Sequence, residues 1–187
     1  MPITTLDPKT ALVLIDLQKG ILAMAAARSI DAVLKNAVLL VDAFRARKLT
    51  VVLVNVAGGA PGRTESPRMS GAFPPDWTEL APELKAQPSD TLITKRTWGA
   101  FYNTDLDVQL KDRGITNIVL GGVSTSIGVE TTARQAFERG YNVTLAIDAM
   151  TDLSEDAHAN SLARIFPRLG ETGSTQDVLG KLGETRA

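Results

Sequence analysis

The chain has 187 residues, 44% of them hydrophobic, which suffices for one domain with its own core. Its 20 basic and 21 acidic residues are scattered and leave a formal charge of -1, so no electrostatic footprint marks a nucleic-acid or membrane partner. The lack of cysteine excludes disulfides, thiolate metal sites and a thiol nucleophile. The opening MPITTLDPKT has no basic segment followed by an apolar core, and no apolar run approaches the roughly 18 residues of a membrane span. A cytoplasmic protein is the expectation.

Short runs rich in Val, Ile and Leu alternate with helical patterns. ALVLID (11–16) predicts a first strand, SIDAVLKNAVLLVDAFRARK (29–48) a helix and LTVVLVNV (49–56) a second strand. Residues 57–90, which include AGGAPGRTESPRMSGAFPP, read as a long surface loop of the kind often used as a lid. TLITK (91–95) predicts the third strand. TDLDVQLKDRG (104–114) predicts a helix opened by an approximate capping box of Thr104 and Asp107 and closed by Gly114. NIVLGGV (117–123) predicts the fourth strand. In SIGVETTARQAFERG (126–140), Val129, Ala133, Ala136 and Phe137 share the face of a helix that packs on the sheet, and Gly140 ends it. NVTLAIDA (142–149) and the helical SEDAHANSLARIF (154–166) follow. Strands buried on both faces, alternating with covering helices, imply an α/β fold: a doubly wound three-layer sandwich with a mostly parallel sheet.

In such sheets ligands bind at the carboxyl ends of the strands, near the point where strand order reverses. That rule selects Asp16, Lys95 and the run Ser124, Thr125, Ser126 and Gly128. A carboxylate and an ammonium at two strand ends form a plausible acid/base and anion-binding pair. Taken singly, Asp16 reads as a turn cap and Lys95 as a solvated base with its stem on Trp98. Ser126 is expected to be the N-cap of the following helix, its oxygen accepting a backbone N–H. GGVSTSIG departs from G-x-G-x-x-G at the second glycine, and GVSTS departs from G-x-S-x-G because Ser126 stands where the last glycine belongs. A triad of Ser124, Asp148 and His158 has the chain order of the α/β-hydrolases, but His158 falls inside a helical pattern and reads as a surface or packing residue. One histidine and no cysteine leave a zinc site short of nitrogen and sulfur ligands, so no metal and no other cofactor is expected.

TALVLIDLQKG (10–20), ITKRTWGAFYNTDLD (93–107) and IVLGGVSTSIGVETTARQAFERGYNVTLAIDAMTD (118–152) resemble the isochorismatase-like, or cysteine hydrolase, superfamily over nearly the whole chain. The resemblance implies a single isochorismatase-like hydrolase domain spanning residues 1–187. It also implies a catalytic triad in which Asp16 and Lys95 match and Gly128 occupies the cysteine position. Amide hydrolysis through a thioester is then excluded, and NVAGGAPGRTESP (55–67) has no histidine for the zinc site of the nicotinamidase-like members. True isochorismatases resemble this chain in having glycine at the cysteine position; they cleave a vinyl ether by protonation and attack of water. Asp16 is then expected to deliver the proton, Lys95 to hold a substrate carboxylate or developing charge, and Gly128 to leave room for substrate or water. Gln18, Trp98, Phe101, Val123, Ser124 and Ser126 are the expected substrate-binding residues, with Trp98, Phe101 and Tyr102 reading equally well as core. STSIG stands where true isochorismatases have a segment like YAHIG, so Ser126 replaces a histidine. The resemblance further implies a cis peptide joining Val123 to Ser124 and a homodimer or larger homo-oligomer. The reading is a hydrolase acting on a small carboxylated or enol-ether substrate; its alternative is a catalytically silent small-molecule binding or scaffold protein.

Overall fold

The computed structural model describes residues 3–24, 30–65 and 72–184. Its centre is a sheet of six strands: β1 (Thr10–Ile15), β2 (Thr50–Val56), β3 (Thr91–Lys95), β4 (Asn117–Val123), β5 (Asn142–Thr151) and β6 (Glu171–Gly173). The spatial order is β3-β2-β1-β4-β5-β6, and every neighbouring pair is parallel. Strand order reverses between β1 and β4. The crevice above their carboxyl ends is therefore the ligand position of an open α/β sheet.

Side chains alternate across the sheet with the strand period. Leu12, Leu14, Leu53 and Val119 face one apolar layer, with Val33, Leu40 and Phe44 of α2 (Ile30–Ala46) and Val178 and Leu182 of α6 (Thr175–Glu184). Val13, Ile15, Val54, Ile118 and Leu120 face the other, with Leu106 and Leu110 of α3 (Leu106–Asp112) and Ala133 and Ala136 of α4 (Glu130–Glu138). Two short helices, α1 (Lys19–Met24) and α5 (Glu155–Asn160), follow β1 and β5. The doubly wound sandwich expected from the alternating pattern is the observed fold.

Local details differ. β1 and β4 are buried throughout, but β3 lies at the sheet edge and exposes Leu92 and Thr94. The capping box does not form: Thr104 accepts the Leu106 N–H, but Asp107 turns to Lys111 and Tyr141 instead of reaching back. Phe137 is exposed, because it sits about 80° around the helix axis from Val129 and falls off the buried stripe. Gly114 and Gly140 have φ of 66° and 83°, the left-handed conformation required of residues that follow a helix.

The segment between β2 and β3 is tied down over much of its described length. Residues 66–71 of the expected loop, and Ser29 of the helix expected over 29–48, lie outside the described residues. The Trp77 indole packs on Gly20, whose missing side chain makes room for it, and the indole N–H donates to the Val56 carbonyl at 3.0 Å. Phe73 stacks on Trp77, with ring centroids 4.6 Å apart. Ala81 and Leu84, at a short 3-10 turn (Pro82–Leu84), join the α2 layer.

Candidate active site

Asp16 is the first residue beyond β1. Its backbone turns into the left-handed region (φ 52°), a conformation that aspartate tolerates better than most residues, while its N–H still donates to the Val54 carbonyl at 2.9 Å. Lys95 closes β3, two strands away from β1. Its stem spans the end of β2, and its ammonium donates to Asp16 Oδ2 at 2.6 Å and to the Thr97 carbonyl at 3.2 Å. Both side chains are buried, with 6% of Asp16 and 2% of Lys95 exposed, so this is an interior ion pair and not a surface one.

Two forces act on the Asp16 carboxyl in opposite directions. Burial penalises the charged form, and the Lys95 charge and hydrogen bond favour it. Burial wins, and the pKa rises from 3.8 to about 6. Oδ2 is bonded to Lys95, whereas Oδ1 is buried and has no hydrogen-bond partner among the described residues. An acceptor left unmatched in a dry site is where a proton or a ligand donor gains most.

Gly128 lies across the crevice, in a π-helical turn (Thr125–Val129) leading into α4. A Cβ built on it points at the dyad: it would lie 3.3 Å from Asp16 Oδ2, 3.6 Å from the Trp98 carbonyl oxygen and 2.9 Å from Ile15 Cγ2. A side chain on Gly128 would therefore press on the Ile15 branch methyl. Three groups hold the turn. The Ser124 carbonyl accepts the N–H groups of Ile127 and Val129. Asp152 Oδ2 accepts the Ser126 backbone N–H at 2.6 Å and the Ser126 hydroxyl at 2.8 Å. The Thr132 hydroxyl donates to the Gly128 carbonyl at 2.7 Å and accepts the Ala100 N–H at 3.1 Å, which links the turn to the chain after β3.

The structure thus brings Asp16, Lys95 and Gly128 together. Ser124 enters the turn through a cis peptide from the buried Val123. Ser126 is not the expected N-cap: its hydroxyl is a donor to Asp152, and the residue lies inside the turn. Trp98 presents its carbonyl to the Gly128 position, and its indole is exposed. Gln18 and Phe101 are used elsewhere. Gln18 donates to the Val56 and Trp77 carbonyls and accepts the Val56 N–H, which fastens β2 to the Trp77 segment. Phe101 is buried against Tyr141, under the Arg139 guanidinium. His158 meets the Thr125 hydroxyl through Nδ1 at 2.8 Å, while Asp148 accepts the N–H and hydroxyl of Thr175, so Ser124, Asp148 and His158 form no triad.

Sequence reasoning missed Asp152, Thr132 and Ile15. Asp152 directly follows β5 on the same carboxyl edge as Asp16, so the rule that selected Asp16 applies to it as well. Thr132 stands four residues after Gly128, one helical turn on. Among the described residues, no group of three or more His, Asp or Glu could hold a metal ion, and no helix is long and apolar enough to cross a membrane.

A doubly wound parallel sheet with a buried carboxyl–ammonium pair at its switch point is the framework of an α/β enzyme. Residues 10–177 match the Isochorismatase domain, and the chain belongs to the isochorismatase family of hydrolases. It is 47% identical over 178 residues to the uncharacterised isochorismatase family protein YwoC of Bacillus subtilis, covering 91% of this chain and 93% of that protein. It is 43% identical over 180 residues to the uncharacterised family protein YecD of Escherichia coli O157:H7, covering 92% and 96%. A solved isochorismatase family protein from Burkholderia thailandensis superposes with a TM-score of 0.91 at 45% identity, covering 98% of this chain and 99% of that one.

Proposed function

We propose that this hydrolase works without a covalent protein intermediate, on a small carboxylated or enol-ether substrate, with Asp16 as the proton donor. The observation that carries the reading is the state of the Asp16 carboxyl. One oxygen is bonded to Lys95, the other is buried and unmatched, and the pKa is lifted into the range where a carboxylic acid persists near neutral pH. The proton resides on Oδ1, because Oδ2 is occupied as an acceptor by the ammonium.

For an enol ether the steps balance without a thiol, and the chain has none. Asp16 Oδ1 transfers its proton to the terminal alkene carbon, and the adjacent carbon becomes an oxocarbenium ion. The Asp16 carboxylate formed in that step is stabilised by the Lys95 ammonium 2.6 Å away. Water adds to the cationic carbon and returns one proton to Asp16. The hemiketal then collapses to a ketone and an alcohol, so one water is consumed and the acid is regenerated. Lys95 has three N–H bonds and gives two of them to Asp16 and Thr97; the third suits a carboxylate or ether oxygen of the substrate.

The test is a panel of small enol ethers, carboxylated lactones and amides, assayed with the wild type and with Asp16→Asn. The reading expects turnover of an enol ether that falls by about 100-fold or more in the variant, the usual scale of general acid catalysis. In D₂O the product methyl group gains one deuterium per turnover. Hydrolysis that leaves that carbon unlabelled would overturn the proton-donor role.

A further inference from the structure

We infer that Gln18 is a positioning residue of the Asp16–Lys95 pair. Its carboxamide stands in for the strand that β1 gives up in turning out Asp16, and so fixes the end of β2 across which Lys95 reaches. The inference rests on the reading of those two residues as the reacting pair and adds what holds them in place.

The gap arises at the strand end. In a parallel sheet the N–H and C=O of one residue point to the same neighbouring strand, and successive residues alternate between neighbours. Val54 pairs with Ile15, and its carbonyl still accepts the Asp16 N–H at 2.9 Å. Two residues on, Val56 points its N–H and C=O the same way, but β1 has ended there: Asp16, at φ 52°, has left the extended conformation to carry its carboxyl to Lys95. Gln18 fills the place. Its Oε1 accepts the Val56 N–H at 2.6 Å and its Nε2 donates to the Val56 carbonyl at 3.0 Å, the two bonds that a further stretch of strand would supply. Nε2 also donates to the Trp77 carbonyl at 2.8 Å, so both amide protons are used.

Gln18 is itself anchored. It is fully buried, and its backbone bridges Leu80, with the Leu17 carbonyl accepting the Ala81 N–H at 2.9 Å and the Lys19 N–H donating to the Glu79 carbonyl at 2.8 Å. From Val56 to Lys95 the path is short. The two are register partners, so their side chains stand on one face of the sheet, and the next residue, Ala57, donates its N–H to the Lys95 carbonyl at 2.9 Å. The Lys95 ammonium at the end of this path meets Asp16 Oδ2 at 2.6 Å. The turn that aims Asp16 deprives β2 of its partner, and Gln18, two residues later, restores one. Without the carboxamide the Val56 N–H loses its acceptor and the strand end beside Lys95 can shift. The attraction within the ion pair falls as the separation grows.

Carbon NMR of the Asp16 side-chain carboxyl, titrated in the full chain, reads the Lys95 contact without a substrate. Gln18→Met keeps the length of the side chain and removes its hydrogen bonds. It should raise the Asp16 titration midpoint by about 0.5 pH unit or more, because a more distant ammonium favours the carboxylate less. In a Lys95→Met background the same substitution should move the midpoint by less than about half as much, since the group it acts through is gone. A residue that only stabilised the fold would show no such dependence on Lys95. Gln18→Asn keeps a carboxamide that is one methylene too short for Val56, and it serves, with the same expected sign, if the methionine variant does not fold. The wild type supplies a further arm: the Val56 N–H should exchange with solvent within about tenfold of the Val54 N–H, although β1 has ended beside it. A midpoint that stays or falls, an equal shift in both backgrounds, or a Val56 amide that exchanges like a loop amide overturns the assignment. Such a failure leaves the proton-donor reading of Asp16 standing, because that reading is tested by turnover; absence of Asp16-dependent turnover removes that reading and leaves the measured coupling intact.

Discussion

Asp152 holds Ser126 twice, accepting its backbone N–H at 2.6 Å and its hydroxyl at 2.8 Å through one carboxylate oxygen, while the other oxygen accepts the Ser154 N–H at 3.1 Å. A buried acceptor just beyond β5 thereby fixes the turn that carries Gly128. Asp152→Asn keeps the shape but replaces one oxygen by an NH₂ group, which must face either the Ser126 or the Ser154 donor. Either the half-buried Ser126 or the exposed Ser154 then loses its acceptor, at a cost of about 0.5–1.5 kcal/mol, the net worth of one hydrogen bond. Urea denaturation of the two proteins measures it. A difference below about 0.5 kcal/mol, the range of ordinary surface changes, would mean that the carboxylate does not secure the turn.

Thr132 performs the second connection. Its hydroxyl joins the Gly128 carbonyl to the Ala100 N–H, so α4 and the chain that carries Lys95 are held in one register. Thr132→Val preserves volume and strands the buried Ala100 N–H, for an expected loss of about 1–3 kcal/mol. Thr132→Ser keeps the hydroxyl and gives up only a methyl group, so its loss should be clearly smaller. If serine proves as destabilising as valine, packing and not the hydrogen bond is the reason for threonine here.

How much of this was legible in the sequence follows from which forces are local. The five longer strands could be placed to within a residue or two because fully apolar runs bounded by turn residues have few alternative states. β6 has three residues, too few for any periodicity, and α6 was not anticipated although Val178 and Leu182 stand four apart. Asp16 and Lys95 were legible because each ends a strand and parallel topology brings strand ends to one edge. Ser126 was misread because its partner lies 26 residues away, just past another strand; local capping chemistry gives no hint that a carboxylate arrives from the end of β5. Gln18 and Phe101 sit beside the right motifs, but their side chains are taken by the Trp77 segment and by Tyr141, contacts between distant parts of the chain. How near Ile15 stands to the Gly128 Cβ position is a matter of tenths of an ångström and has no signature in the sequence.

The seat of Trp77 on Gly20 yields a third prediction. A methyl group added by Gly20→Ala enters the indole itself, and the ring cannot slide freely while its N–H is bonded to Val56 and its carbonyl to Gln18. The expected loss is about 1–3 kcal/mol. Trp98 is the other tryptophan and is exposed, so a Trp98→Phe background leaves Trp77 as the sole indole reporter. In that background Gly20→Ala should shift the emission to longer wavelength as the ring lifts into solvent. Unchanged emission and stability would show that the segment adjusts without losing its anchor.

The last prediction concerns Asp16 and pH. Its pKa in the fold, about 6, lies above the ordinary 3.8 because burial outweighs the pull of Lys95. The folded protein thus binds this proton more tightly than the unfolded chain does. The contribution to stability is complete below pH 3.8, declines as the pH rises toward 6, and is gone above it. Two pH units correspond to roughly 3 kcal/mol as an order of magnitude. Asp16→Asn does not titrate, so the unfolding free energy of the wild type minus that of the variant should fall by about 1–3 kcal/mol between pH 4 and pH 7 while most other carboxyls cancel. The same group governs the rate. If Asp16 acts as the acid, activity is level below about pH 6 and declines tenfold per unit above it, because the reactive form is the protonated one. Activity that instead rises through pH 6 assigns Asp16 to base catalysis, and a stability difference that stays flat across the range removes the raised pKa on which the acid role depends.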